Sequence, residues 1–225
     1  MSGIEALRAF YLEDATGAES RFHIWDRGEA VGDSVTPSTY SRPYQLWMND
    51  LLRKFLDDGD GPALLSVGCG NAVIEAELVA SGYKVLGVDA LAEAIKLAKA
   101  KGVDAVCADV LSWRPPESTQ WNVIYADGIL GHIFDQTMGG VRHVLARFRS
   151  WLPDGKGVLV MSNDEPRIEA HVQAHSEVPG FSWLSGPFLH TQAEAAGFQE
   201  VWTTWFTYER PVSGPRERVV VTART

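Results

Sequence analysis

Cysteine, positive charge and long apolar runs are all scarce in this chain. Its 225 residues include two cysteines, Cys69 and Cys107, with no CxxC spacing, so a disulfide framework and a thiolate zinc site are both excluded, and the usage suits a reducing, cytoplasmic setting. Lys and Arg number 20 against 29 Asp and Glu, a formal net charge of −9. A generic nucleic-acid binder needs a basic face to neutralise phosphates, so no nucleic-acid partner is expected. No stretch approaches the roughly 18 apolar residues of a membrane span, and Met1 to Phe10 has neither a basic nor an apolar leader region. No membrane partner is expected either. Several catalytic signatures are missing. Gly180-Phe181-Ser182-Trp183-Leu184 lacks the second glycine of a nucleophile elbow. No Walker lysine follows a glycine loop, and there is no HExxH. His171 and His175, four apart beside Glu169 and Glu177, would share one face of a helix, but a solvated polar face explains them better and no metal is expected.

What is present is an ordinary folded composition, 45% hydrophobic and 22% charged, of a size for one generous domain. Eight Trp residues stand out. Short apolar runs at Ala63–Val67, Lys84–Asp89, Asp104–Asp109, Trp121–Ala126 and Val158–Met161 alternate with helical patterns at Ala72–Ser81, Leu91–Ala98 and Val141–Leu152. That is the rhythm of βα units on a parallel sheet. The tail predicts a helix over Phe188–Ala196, a strand over Val201–Tyr208, a turn through Pro211–Pro215 and a last strand over Val219–Val221, which suits antiparallel edge strands. Residues 1–62 lie outside the alternation and read as a lid. They combine an amphipathic start (Ile4, Leu7, Phe10, Tyr11) with the aromatics Phe22, Trp25, Tyr40, Tyr44 and Trp47. The long connection from Asn163 to Gly186 reads as a cap insertion.

The informative segment runs from a buried strand into a Gly-x-Gly turn and a helix: Ser66-Val67-Gly68-Cys69-Gly70-Asn71-Ala72. Glycines there let backbone approach a ligand at a helix N-terminus. Nineteen residues after Gly70, Asp89 closes the next strand. In a doubly wound sheet it faces the same crevice and is placed for the two hydroxyls of a ribose. A dinucleotide site would want a third glycine where Val73 stands, which disfavours a nicotinamide-dependent reductase. A methionine nucleoside needs only the turn, the ribose acid and a polar edge for adenine. Asp109 supplies that edge at the end of the third strand, and Asp127-Gly128 ends the fourth.

These motifs resemble the class I S-adenosylmethionine-dependent methyltransferases, from about Ala63 to the C-terminus. The resemblance implies an α/β fold, a Rossmann-like seven-stranded mostly parallel sheet with an antiparallel C-terminal strand, here under an N-terminal helical lid. It implies that Gly68, Cys69 and Gly70 lie beside the methionine moiety, Asp89 with Ala90 at the ribose, Asp109 with Val110 at the adenine, and Asp127 with Gly128 between cofactor and acceptor. The acids are spaced by 20 and then 18 residues, which makes the set more specific than the glycines alone. Where the family usually has an acid, this chain has Ser66, and its usual third glycine is Ala72. Ser66 is therefore expected to make a different contact to the methionine amine.

The acceptor side is read from residue types. His132, five residues after Asp127, is a candidate base, with Asp127 as its companion in catalysis. Trp25, Tyr40, Tyr44, Trp47, Phe181 and Trp183 are candidates to pack an apolar or planar acceptor, Arg42 with Tyr44 to clamp a carboxylate, and Asp127, Asp164 and Glu165 to favour an amine. With no appended recognition domain, the expected acceptor is a small metabolite, amino-acid-derived or secondary, methylated on N or O by a monomer or homodimer. The alternatives are a nicotinamide-dependent oxidoreductase and a non-catalytic regulatory protein that merely holds the cofactor.

Overall fold

The computed structural model describes residues 3–12, 19–58, 63–134, 138–178 and 180–225. Helices α1 (Gly3–Leu12), α2 (Arg21–Asp26), α3 (Pro37–Tyr40) and α4 (Arg42–Asp57) come first. The alternating part follows as β1 (Ala63–Val67), α5 (Val73–Ala80), β2 (Lys84–Asp89), α6 (Ala92–Ala100), β3 (Asp104–Cys107), β4 (Val123–Asp127), α7 (Leu130–Ile133), α8 (Met138–Arg149) and β5 (Val158–Asp164). Two short strands, β6 (Val172–Ala174) and β7 (Ser182–Leu184), then α9 (Gly186–Ala195), β8 (Glu200–Arg210) and β9 (Gly214–Arg224) complete the chain.

The main sheet has the order β3-β2-β1-β4-β5-β9-β8. Strands β1 to β5 pair in parallel, while β9 pairs antiparallel with both β5 and β8. The order reverses between β1 and β4, so the loops after these strands diverge and open a crevice at their carboxyl ends. Every residue of β1 and β5 is buried, as expected of strands covered on both faces. One face packs Leu65, Ile124, Leu159 and Val221 against α8 and α9. The other packs Leu64, Val123, Val160 and Val220 against α4 and α5. Helix α4 starts at Ser41, whose side chain accepts from Tyr44 N, and Pro43 sits in its first turn. Its stripe of Tyr44, Met48, Leu52 and Leu56 is fully buried, and truncating one of these leucines is expected to cost about 2–5 kcal/mol.

Three departures from the sequence reading have physical causes. The third strand stops at Cys107 rather than Asp109, because the Asp109 carboxylate turns the chain by accepting from Leu111 N at 2.9 Å. The last two strands are longer than their apolar runs, 11 residues each, because Arg216 and Arg218 interrupt the hydrophobic pattern yet lie buried and paired. His171 and His175 do not share a helix. They flank β6, which pairs with β7 in a separate two-stranded sheet. The amphipathic start falls in α1, where the side chains of Ile4 and Leu7 lie outside the described set.

Candidate active site

The turn after β1 is built from left-handed backbone. Gly68 has φ 70°, Gly70 φ 53° and Ala72 φ 55°. At Gly68 a Cβ would meet Ile129 at 2.7 Å, so glycine is required there, whereas at Gly70 it would meet only Phe22 at 3.8 Å. The Gly70 backbone is thus open to the space in front of it. Asp89 fixes this turn, its Oδ2 accepting from Gly70 N at 3.0 Å and its Oδ1 from Leu91 N at 2.9 Å. Burial pushes its carboxyl up, against the pull of these N–H donors.

A cavity of about 560 Å³ lies over the carboxyl ends of the strands. One end is walled by Ser66, Gly68, Cys69, Gly70, Asp89, Ala90, Asp109, Val110, Asp127 and Gly128, so the structure brings every residue expected around the nucleoside to one surface. Glu75, in the first turn of α5, joins them. Ser66 Oγ donates to Glu75 Oε1 at 2.5 Å, and burial raises the Glu75 pKa to about 7 although that hydrogen bond works against it. The signal was in the sequence as an acid in the first turn after the glycines, but a glutamate there also reads as an ordinary helix-start residue.

The other end is aromatic and partly covered by the N-terminal helices. Tyr11 of α1 stacks on Phe22 at 5.2 Å and meets Trp25 edge-on at 5.7 Å. Tyr11 Oη is hydrogen-bonded to His132 Nε2 at 2.8 Å, and Phe181 lies edge-on to the imidazole at 4.7 Å. Burial, with a smaller push from His175, lowers the His132 pKa to about 4. The imidazole is therefore neutral at physiological pH. Its Nδ1 is buried without a hydrogen-bond partner among the described residues. Trp25, His132, Phe181 and Trp183 line this end.

Four residues expected at the acceptor lie elsewhere. Arg42 is exposed and paired with Glu77 of α5, and Tyr40 is exposed at the end of α3. Helix α4 turns its apolar stripe onto the sheet, which buries Tyr44 completely and sends its hydroxyl to Ser162 Oγ at 3.4 Å. Trp47 packs on Phe206 at 5.3 Å. None of the four lines the cavity. The three acids expected to favour an amine are already engaged. Asp127 accepts from Tyr125 Oη at 3.0 Å, from Ser162 and from Arg218. Asp164 accepts from Tyr208 Oη at 3.0 Å, from Arg218 Nη1 at 3.1 Å and from Arg210. Glu165 holds Gly186 N and Trp205 Nε1, each at 2.8 Å. The three arginines at positions 210, 216 and 218 were not anticipated. Their alternate spacing along two terminal strands looks like a solvated edge until the register sets Asp164 opposite Arg218. Among the described residues no group of His, Cys, Asp and Glu is placed to hold a metal ion.

A family model described as a methyltransferase domain matches residues 40–203. The chain belongs to this family of S-adenosylmethionine-dependent methyltransferases. It is similar to a "tabtoxin biosynthesis enzyme" of Pseudomonas amygdali pv. tabaci, 36% identical over 94% of this chain and 86% of that one. Among solved structures this methyltransferase resembles magnesium protoporphyrin IX methyltransferase from Synechocystis PCC 6803 with bound S-adenosylmethionine. The TM-score is 0.65 at 14% identity, covering 100% of this chain and 98% of that one. It also resembles the N-methyltransferase NodS from Bradyrhizobium japonicum in complex with S-adenosylhomocysteine. There the TM-score is 0.62 at 16% identity, over 91% of this chain and 97% of that one. Both likenesses concern the fold, and the sheet order given above is the fold in question.

Proposed function

We propose that this methyltransferase transfers the methyl group of S-adenosylmethionine to a nitrogen or oxygen of a small metabolite, amino-acid-derived or secondary. The observation that carries the reading is one cavity of about 560 Å³ running from the glycine turn to the walls made by His132, Trp25 and Trp183. That volume suits a nucleoside with a small acceptor rather than a macromolecular end. The name of the Pseudomonas relative supports a specialised metabolite.

The residues fit the cofactor. The backbone at Gly70 is open to the cavity, Asp89 is held rigidly at its edge by two N–H donors, and Glu75 is a buried acid within reach of Ser66. On this reading Gly68, Cys69 and Gly70 border the methionine moiety, and Glu75 with Ser66 receives its amine. Asp89 and Ala90 hold the ribose, Asp109 and Val110 the adenine edge, and Asp127 with Gly128 separates cofactor from acceptor. The cofactor, when bound, supplies an electrophilic methyl on a sulfonium. The chain supplies positioning and exclusion of water, with residues 1–62 as lid and 163–186 as cap. In the tautomer whose Nε2–H donates to Tyr11, the buried and unpartnered His132 Nδ1 carries the lone pair that would take a proton leaving the acceptor.

Two measurements test this. In a thermal-shift comparison, S-adenosylhomocysteine is expected to stabilise the protein and NADH to leave it unchanged; stabilisation by NADH alone removes the reading. With isotopically labelled cofactor and a metabolite extract, label is expected in a small product. Tight cofactor binding without any transfer would show a cofactor-holding protein instead.

A further inference from the structure

We infer that the acceptor end of the cavity is a carboxylate site centred on Arg210, so that the molecule methylated carries a carboxylate. The inference rests on the reading of this cavity as a methyltransferase site and names the acceptor's chemical class.

Three guanidinium groups converge on one carboxylate at the ends of β5, β8 and β9. Asp164 accepts from Arg218 Nη1 at 3.1 Å and from Arg210 Nη2, and Arg216 Nε lies 3.7 Å from it. Arg218 gives its Nη2 to Asp127 and its Nε to Ser162 Oγ at 3.2 Å. Side-chain exposure is 6%, 8% and 3% for Arg210, Arg216 and Arg218, and 4% and 7% for Asp164 and Asp127. Arginine stays charged even when buried, so three positive charges face two negative ones where water is scarce. Buried charges are ordinarily balanced. Asp33, in the same wall, accepts from Val212 N at 2.9 Å and Ser213 N at 3.1 Å, lies 4.0 Å from Arg167 and feels the charge of Arg210. With Arg167 and Asp33 counted in the cluster, four guanidinium groups face three carboxylates, a surplus of one positive charge.

The surplus has an outlet. Arg216 Nε is buried without a hydrogen-bond partner among the described residues, and its guanidinium lies on the Trp183 ring at 4.7 Å. Arg210 lines the cavity, with its Nε given to Tyr208 Oη at 3.0 Å and its Nη2 to Asp164. Its Nη1 makes no hydrogen bond among the described residues and remains to meet a ligand. His175, on the same wall, feels the field: burial chiefly, and then Arg210, hold its pKa below the ordinary value. Asp127 and Asp164 are filled by guanidinium and hydroxyl donors, which leaves them poorly suited to an ammonium. A carboxylate against Arg210 closes the charge balance that the fold leaves open.

The test uses the whole chain saturated with S-adenosylhomocysteine and compares glutarate with its neutral isostere glutaramide and with 1,5-diaminopentane by calorimetry. Glutarate is expected to bind about tenfold or more tighter than either. Arg210→Gln is expected to remove that preference and Arg210→Lys to restore part of it, with S-adenosylhomocysteine affinity unchanged in both. Equal binding of glutarate and glutaramide, preference for the diamine, or an undiminished preference in Arg210→Gln overturns the inference. Absence of S-adenosylhomocysteine binding to the unaltered protein would instead overturn the cofactor reading on which it rests.

Discussion

At the proposed cofactor end of the cavity the shape comes from backbone: a left-handed glycine turn, a helix start and an aspartate whose two oxygens each accept from one N–H of a neighbouring loop. At the acceptor end it comes from side chains far apart in sequence, with Arg218 reaching Asp127 across 91 residues and Tyr11 reaching His132 across 121. Backbone geometry is specified locally and tolerates little change. A side-chain network is specified by the register of the strands that carry it, and its members are exchangeable as a set. The first kind of construction suits a ligand shared by many enzymes, the second an acceptor that differs from one enzyme to the next.

The two ends should break differently. Arg218→Met leaves the buried Asp127 without its guanidinium, takes one of three from Asp164 and is expected to cost about 3–5 kcal/mol, read as a shift in denaturant midpoint; a loss below about 1 kcal/mol would mean the network is not what holds β9 to β5. His132→Ala is expected to lower turnover by about a hundredfold or more while S-adenosylhomocysteine binds as before, and normal turnover would take the imidazole off the list of reacting groups. Asp89→Ala should do the reverse, weakening S-adenosylhomocysteine by about tenfold to a hundredfold, and unchanged affinity would deny the carboxylate its ribose.

Glu75→Gln gives a smaller, pH-dependent effect. A carboxyl raised from 4.5 to about 7 on folding favours the protonated native state, so its contribution is fully present below 4.5 and is lost as pH rises to about 7. Without ligand, wild-type stability should fall across that window and the Gln variant should not; parallel curves would show that Glu75 does not titrate there. Arg42→Ala, at an exposed ion pair with Glu77, should change stability by less than about 1 kcal/mol and leave turnover alone. A loss of acceptor binding in this variant would restore Arg42 to the site.

The residues that wall the glycine-turn end of the cavity were legible because their determinants are local and periodic. Gly68, Asp89, Asp109 and Asp127 each sit where a strand gives way to a turn, and a strand pattern marks that point in the sequence. Glu75 escaped because nothing in a sequence says that a first-turn glutamate points inward rather than to water. The arginines escaped for a sharper reason: Arg216 and Arg218 lower the apparent hydrophobicity of β9, and only pairing with Asp164 across the sheet makes them interior residues. Trp25 and Trp183 were found among the aromatics, but Tyr40, Tyr44 and Trp47 were drawn along with them. Residue type cannot tell which face of α3 or α4 meets a cavity and which meets a sheet.

The hydrogen bond between Tyr11 and His132 joins a covering helix to an imidazole inside the cavity. Lifting α1 away would return that ring, whose titratable neighbours are Tyr11 and His175, from a pKa of about 4 towards its ordinary 6.5. The uncovered form then takes up a proton that the covered form refuses. By linkage, any uncovering of this ring would be favoured by mild acid and opposed at neutral pH.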